Sequence, residues 1–192
     1  MSKHNGWDGL WGLEYKSANP WWIDGAVIEY LDLTNHSGPI HFAPHFQGAD
    51  IPYQSTGADN YYNSGYYNAY TNLGMGLGNP MVMSPIYNRD GYPQYLLNRV
   101  KGVHVALRGT LSENAGYKFK FGWRKALGSS YEPLQAPVHS TMLMAEAWWR
   151  IPQVKGLQLT GAFGLDHGQM PGNSVGGMVT ISYDGLLKLN GK

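Results

Sequence analysis

Cysteine is absent from the chain, a composition that an oxidising compartment permits and that leaves no thiolate for a zinc site. Charge is also scarce. Asp, Glu, Lys and Arg supply 14% of the residues, against roughly 25% in soluble domains, which argues against an ordinary soluble surface around an apolar core. The net charge is +1 and no basic stripe runs through the sequence, so there is no basis for a nucleic-acid partner. No apolar run approaches the ~18 residues that a membrane helix needs, which excludes a helical membrane protein. The opening Met1-Ser2-Lys3-His4-Asn5-Gly6-Trp7 lacks the basic and then apolar run of a secretory leader. An exported protein that begins this way is expected to be a fragment, a processed piece or a truncated reading frame.

What is present is glycine, tyrosine and tryptophan, arranged with a period of two. Gly numbers 26 of 192 residues, and Tyr (14) and Trp (7) far outnumber Phe (5). Trp and Tyr anchor at the headgroup level of a bilayer, so this balance suits a surface that sits in lipid. In the clearest stretch Tyr117, Phe119, Phe121 and Trp123 alternate with Lys118, Lys120, Gly122 and Arg124. Alternation of this kind makes one face apolar and the other polar. The same reading places Trp7, Trp11, Leu13 and Tyr15 against Asp8, Gly12, Glu14 and Lys16, with Leu10 a lapse on the polar side. Val103, Val105, Leu107 and Leu111 oppose His104, Arg108, Thr110 and Ser112, and Leu143, Ala145, Ala147 and Trp149 oppose Glu146 and Arg150. Two further strands carry Leu157, Leu159, Phe163 and Leu165, then Val175, Val179, Ile181 and Tyr183. Segment 21–34 is strand-like too, but both its faces are mixed and its facing is not assignable from the pattern.

These seven strands, or eight if the long connection adds one, predict an all-β chain: an antiparallel transmembrane β-barrel segment, part of a larger barrel. The connections are expected to alternate, short at 17–20, 113–116 and 152–156 and long at 35–93, 128–140 and 167–173. Transmembrane barrels are built in this way, with tight periplasmic turns and long external loops. Tyr15, Trp21, Trp22, Tyr117, Trp148, Trp149 and Tyr183 fall at the short-turn end and are expected to form one interfacial girdle. A soluble β-sandwich would also alternate. Strands of ten or more residues match the 9–11 needed to cross a bilayer better than the usual ~5–6 of soluble sheets. No linker divides the chain, so residues 1–192 read as a single segment with one long external loop at 35–93.

That loop far exceeds the ~12–15 residues at which a connection is usually functional or disordered. Its composition is not that of disorder: Asn60-Tyr61-Tyr62-Asn63-Ser64-Gly65-Tyr66-Tyr67-Asn68-Ala69-Tyr70 is dense in rings and amides and nearly free of charge. Tyrosine faces suit sugar C–H groups, and Asn or Asp side chains suit hydroxyls. Asp59, Asn60, Tyr61, Tyr62, Asn63, Tyr66 and Tyr67 are therefore the candidate polysaccharide contacts. The same tyrosines could instead pack the loop onto itself or the barrel mouth, and composition does not choose between the two.

Several short motifs resemble, in order, the capsule-assembly Wzi family. They are Asp8-Gly9-Leu10-Trp11-Gly12-Leu13-Glu14-Tyr15, Glu29-Tyr30-Leu31 followed by His36-Ser37-Gly38-Pro39, Asp59-Asn60-Tyr61-Tyr62-Asn63, and Gly74-Met75-Gly76-Leu77-Gly78-Asn79-Pro80. Glu146-Ala147-Trp148-Trp149-Arg150, Lys155-Gly156-Leu157, Asp166-His167-Gly168 and Gly172-Asn173 through Gly176-Gly177-Met178 resemble the family's last hairpins. Family members are longer, with a large closed barrel and an N-terminal helical part, so the chain would match the C-terminal portion. The resemblance implies an outer-membrane protein that binds capsular or exported polysaccharide and assists its assembly or attachment at the cell surface, as a lectin rather than an enzyme. Outer-membrane lipid and the missing N-terminal part of the barrel are its other implied partners. The chain departs from the pattern in lacking the upstream strands, and it ends Leu189-Asn190-Gly191-Lys192 without the terminal aromatic of many outer-membrane barrels.

Other constellations carry less. Gly74-Met75-Gly76-Leu77-Gly78 runs into Asn79-Pro80 rather than opening a helix, so it is a poor phosphate loop, and no cofactor is expected. His36, His41 and His45 share the long loop but lack a convincing metal set, and no metal is expected. His139, Ser140 and Asp166 are catalytic residue types near strand ends, but no G-x-S-x-G elbow accompanies them. Arg108, Lys118, Lys120, Arg124, Glu146 and Arg150, with Glu14 and Lys16, are expected to satisfy one another in the lumen. The alternative function is a passive porin-like channel, in which those charges would select small solutes.

Overall fold

The computed structural model describes residues 8–35, 61–130 and 132–184, with backbone alone at 61 and 66–68. Among the described residues nine strands form: β1 (Gly9–Lys16), β2 (Gly25–Asp32), β3 (Thr71–Asn72), β4 (Met75–Gly76), β5 (Val100–Ser112), β6 (Ala115–Gly128), β7 (Pro133–Arg150), β8 (Leu157–Gly168) and β9 (Ser174–Tyr183). Seven of them make one sheet in the order β1-β2-β5-β6-β7-β8-β9, with every neighbouring pair antiparallel. The expected all-β architecture and the seven strands are thus present, but β1 and β2 have eight residues each, short of the ten or more expected. β1 and β9 are the two edges, and no pairing between them closes the sheet among the described residues.

Register turns the alternation of each strand into two continuous faces. One row runs Leu13, Ile28, Val105, Phe121, Leu143, Leu165, Val175 across all seven strands. The next runs Tyr15, Ala26, Leu107, Phe119, Ala145, Phe163, Gly177, and Trp149, Leu159 and Ile181 share a third. No charged side chain enters these rows. The opposite face carries Glu29 beside His104, Lys118 beside Glu146, and Lys120 beside Met144. Segment 21–34 acquires its facing from these partners: Val27, Glu29 and Leu31 join the polar side, and Ala26, Ile28 and Tyr30 the apolar side.

The described part of the long connection packs on the polar side, which we call the inner face. Three short 3₁₀ segments, Tyr61–Asn63, Gly65–Tyr70 and Pro85–Tyr87, and the small β3–β4 hairpin make up much of it. Tyr62, Met81, Val82, Met83 and Tyr95 from this connection bury themselves with Leu31, Val100 and Ala126 of the sheet and Met170 of the β8–β9 turn. Gly102 makes the fit possible, because a side chain there would strike Met81. We call this packed, described part of the connection the plug; it sits at the long-loop end.

Three expectations need correction. Residues 128–140 are mostly strand, since β6 runs to Gly128 and β7 starts at Pro133. Proline cannot donate to a ladder and is confined to strand starts and irregularities; Pro133 begins the strand, and the register jumps from Ala126↔Val138 to Gly128↔Pro133, leaving Pro137 in the irregularity. The strict alternation of connection lengths consequently fails: among the described strands of the large sheet, only β2 and β5 are joined by a long connection. Trp148 leaves the expected girdle for the inner face, where it lies over Gly116 and under the Arg150 guanidinium, 5.0 Å from its ring. Its own position on β7 dictates this, because it is one residue out of phase with Trp149. Trp21 and Trp22 precede β2 in a turn and remain 66% and 74% exposed at the short-turn end.

Candidate functional site

Only some of the candidate polysaccharide contacts can be placed. Asp59 and Asn60 lie outside the described residues, and Tyr61, Tyr66 and Tyr67 are described in backbone only, within the first two 3₁₀ segments. Tyr62 and Asn63 are fully placed, and both anchor the plug. Tyr62 is 5% exposed, set edge-on to Tyr95 at 5.0 Å between ring centres and tilted against Tyr70 at 6.3 Å. Its hydroxyl accepts the Asn79 amide at 3.4 Å. Asn63 brackets the Tyr95 backbone, donating from Nδ2 to the carbonyl at 2.9 Å and accepting the amide on Oδ1 at 2.7 Å. Burial, with Tyr62 alongside, pushes the Tyr95 phenol above its usual range, and its hydroxyl donates to the Tyr70 carbonyl at 3.1 Å. A ring with almost no free surface and a carboxamide engaged at both ends hold the loop in place in this structure, the packing role that composition left open beside sugar contact.

All six candidate lumen residues lie on the inner face, yet they do different things. Arg108 pairs with Asp24 at 3.1 Å, and Thr110 Oγ1 donates to the same carboxylate at 2.7 Å. Lys118 pairs with Glu146 at 2.9 Å. Arg150 stacks on Trp148, with Gln158 Oε1 at 3.5 Å from its Nε. Arg124 is 4% exposed and latches the plug, its Nη1 donating to the carbonyls of Met81 at 2.6 Å and Pro80 at 3.2 Å. Arg99, at the plug's exit into β5, is 1% exposed and donates from Nε to the Thr34 carbonyl. Burial pulls its guanidinium down to about 10, with Asp8 opposing the shift. Lys120 alone among the six has neither an ion pair nor a hydrogen bond among the described residues.

Lys120 borders an open trough of about 850 Å³ between the plug and the inner face. From β2 and β5 come Glu29 and His104, paired at 3.0 Å; from β8 and β9 come Asp166 and Ser174, whose hydroxyl donates to the carboxylate at 3.2 Å. Asn79 and Met81 border it on the plug side, and Met142, Met144 and Met178 line it from β7 and β9. Such a volume falls within the ~300–1,000 Å³ of sites that enclose small ligands. Sequence reasoning missed this site. Its polar groups are far apart in the chain, and the available signal was the inner phase of Met142 and Met144, where polar residues dominate the same face elsewhere.

The catalytic residue types do not converge. His139 and Ser140 are successive residues on opposite faces, His139 against the Trp123 ring at 5.7 Å and Ser140 buried at 1% exposure, while Asp166 engages Ser174. His36, His41 and His45 lie outside the described residues. No protein-family model, no curated protein and no solved structure matches the chain, so the family resemblance rests on the order of its short motifs.

Proposed function

We propose that the chain is a wall segment of an outer-membrane β-barrel that binds surface polysaccharide and assists capsule or exopolysaccharide assembly, as a lectin and not as an enzyme. One observation carries the membrane part: the sheet is apolar on its bare face and polar on its covered one. Leu13, Ile28, Phe163, Val179 and Ile181 are 47–77% exposed on the bare face, while Lys118, Glu146, Lys120 and Arg124 face the plug side. A soluble sandwich has the reverse arrangement, burying its apolar faces against each other. Lipid is the surrounding that suits an apolar exterior on a sheet with a polar interior.

Strand direction supports a larger barrel. With seven antiparallel strands, β1 and β9 run the same way, so only an odd number of further strands can close the wall antiparallel throughout. Seven alone are too few, because about eight strands leave an interior just wide enough for side chains and this one holds a plug. The rest of the barrel is the partner that the edges require, since unpaired backbone groups are costly in lipid.

The plug favours binding over conduction. It is anchored by Tyr62, Tyr95, Asn63 and Arg124 across the long-loop end, where an open channel would have its mouth. Asp59, Asn60, Tyr61, Tyr66 and Tyr67 are its polysaccharide contacts in this reading. The test is a Tyr61→Ala/Tyr66→Ala/Tyr67→Ala variant that still inserts in the outer membrane, assayed for glycan-array binding and cell-associated capsule. Loss of both supports the reading; unchanged binding and capsule, or saturable ion conductance without glycan retention, overturns it.

A further inference from the structure

The glycines of the sheet fall into two kinds. At Gly102, Gly109 and Gly116 a side chain would strike Met81, the Trp22 carbonyl and the Trp148 ring respectively, so packing demands glycine there. Gly164 and Gly176 are different. They are cross-strand partners in the inner phase of β8 and β9. No described atom lies within 4 Å of where a Cβ of Gly176 would stand, and only the Leu143 carbonyl, at 4.0 Å, meets that of Gly164. Mid-strand glycine weakens a sheet, and it often marks a place where a ligand or another backbone comes close.

Both glycines line the trough. In register, the row of Asp166 and Ser174 lies on one side of them and the row of Ala162 and Met178 on the other, with Met144 opposite Gly164. Methionine normally adapts to fill gaps, yet among the described residues the space stays open at about 850 Å³. Its polar groups come from several elements: Glu29 and His104 from β2 and β5, Lys120 from β6, Asn79 from the plug, and Asp166 and Ser174 from β8 and β9. An acyl chain, which needs polarity at one end only, is a poor match. A sugar, with apolar ring faces and hydroxyls around its rim, suits a glycine and methionine floor with polar groups along the border.

We infer that the trough is a second polysaccharide subsite, which takes a short run of sugar units with ring faces on Gly164, Gly176 and Met144 and hydroxyls on Asp166, Ser174 and Asn79. It rests on the polysaccharide reading above and adds a site on the wall to the one on the plug.

The probes are the surface polysaccharide of cells that make the protein and its short hydrolysis fragments, with the protein in its native outer membranes. Gly164→Leu and Gly176→Leu fill the trough where the fold leaves room, and each should weaken fragment binding about tenfold or more. Gly161→Leu is the control: it is equally open but in the phase of the bare face, and should change nothing. A Ser174→Cys variant, carrying the chain's only thiol, should be shielded from a thiol reagent by the fragments; this readout stands even if a leucine variant fails to fold. Intact polysaccharide binding with no shielding and no effect of either leucine overturns the trough subsite and leaves the plug reading standing. Shielding by a dodecyl detergent and not by the fragments makes the trough an acyl site and overturns the inference. Absence of any glycan binding by the unmodified protein overturns both.

Discussion

The two ends of the sheet are held by different means. At the long-loop end, Val100, Ala126, Leu31 and Tyr95 are at most 2% exposed, and Arg99 and Arg124 are buried with their charges turned to backbone carbonyls. At the short-turn end, Trp21, Trp22, Leu111, Trp149 and Tyr183 are 48–74% exposed. Protein atoms cover one end, and at the other the chain leaves its largest rings bare. Packing and hydrogen bonds therefore stabilise the plug end, whereas the proposal of a lipid-facing wall assigns the bilayer to the bare rings at the other.

Substitutions at the two ends should therefore behave differently. Tyr95→Ala removes the ring at the centre of the plug core, and truncation of a buried aromatic costs about 3–5 kcal/mol. The plug should come loose while the sheet persists, seen as protease cleavage within 61–99 and an intact wall fragment. Equal loss of both would break the comparison. Next, Phe121→Arg places a cation in the middle of the bare face, at a cost of about 2–4 kcal/mol in a bilayer. The neighbouring change Gly122→Arg would be confounded by Met142, so Met144→Arg on the inner face is the better companion, with a much smaller loss of urea resistance in lipid vesicles. The smallest effect is expected at Lys118→Ala. Its ammonium is on a half-exposed side chain, and ion pairs open to solvent contribute about 0–1 kcal/mol. A midpoint shift as large as that of Tyr95→Ala would mean that wall charges hold the fold.

The wall was legible in the sequence and the plug was not. Period two places Phe119, Phe121, Val103, Val105, Leu157 and Leu159 on one side and Lys118, Lys120 and Arg124 on the other, and the register agrees. That pattern is local, because each strand carries its own alternation. Glu29 broke the pattern of segment 21–34 because its reason, His104, is 75 residues away. Tyr62 and Asn63 looked like ligand contacts because their composition suits sugars; the residue that occupies both, Tyr95, follows more than 30 residues later. The trough is less legible still, for it exists only when the register aligns Gly164, Gly176 and Met144 beneath the plug.

The central claim is that the bare face meets lipid. It is tested most directly by single cysteines at positions 117–124, spin-labelled in protein reconstituted into phospholipid vesicles. The account expects oxygen accessibility to peak at Tyr117, Phe119, Phe121 and Trp123, and accessibility to a water-soluble nickel complex to be higher at Lys118 and Lys120. Water accessibility at all eight positions, or an alternation in the opposite phase, would contradict it.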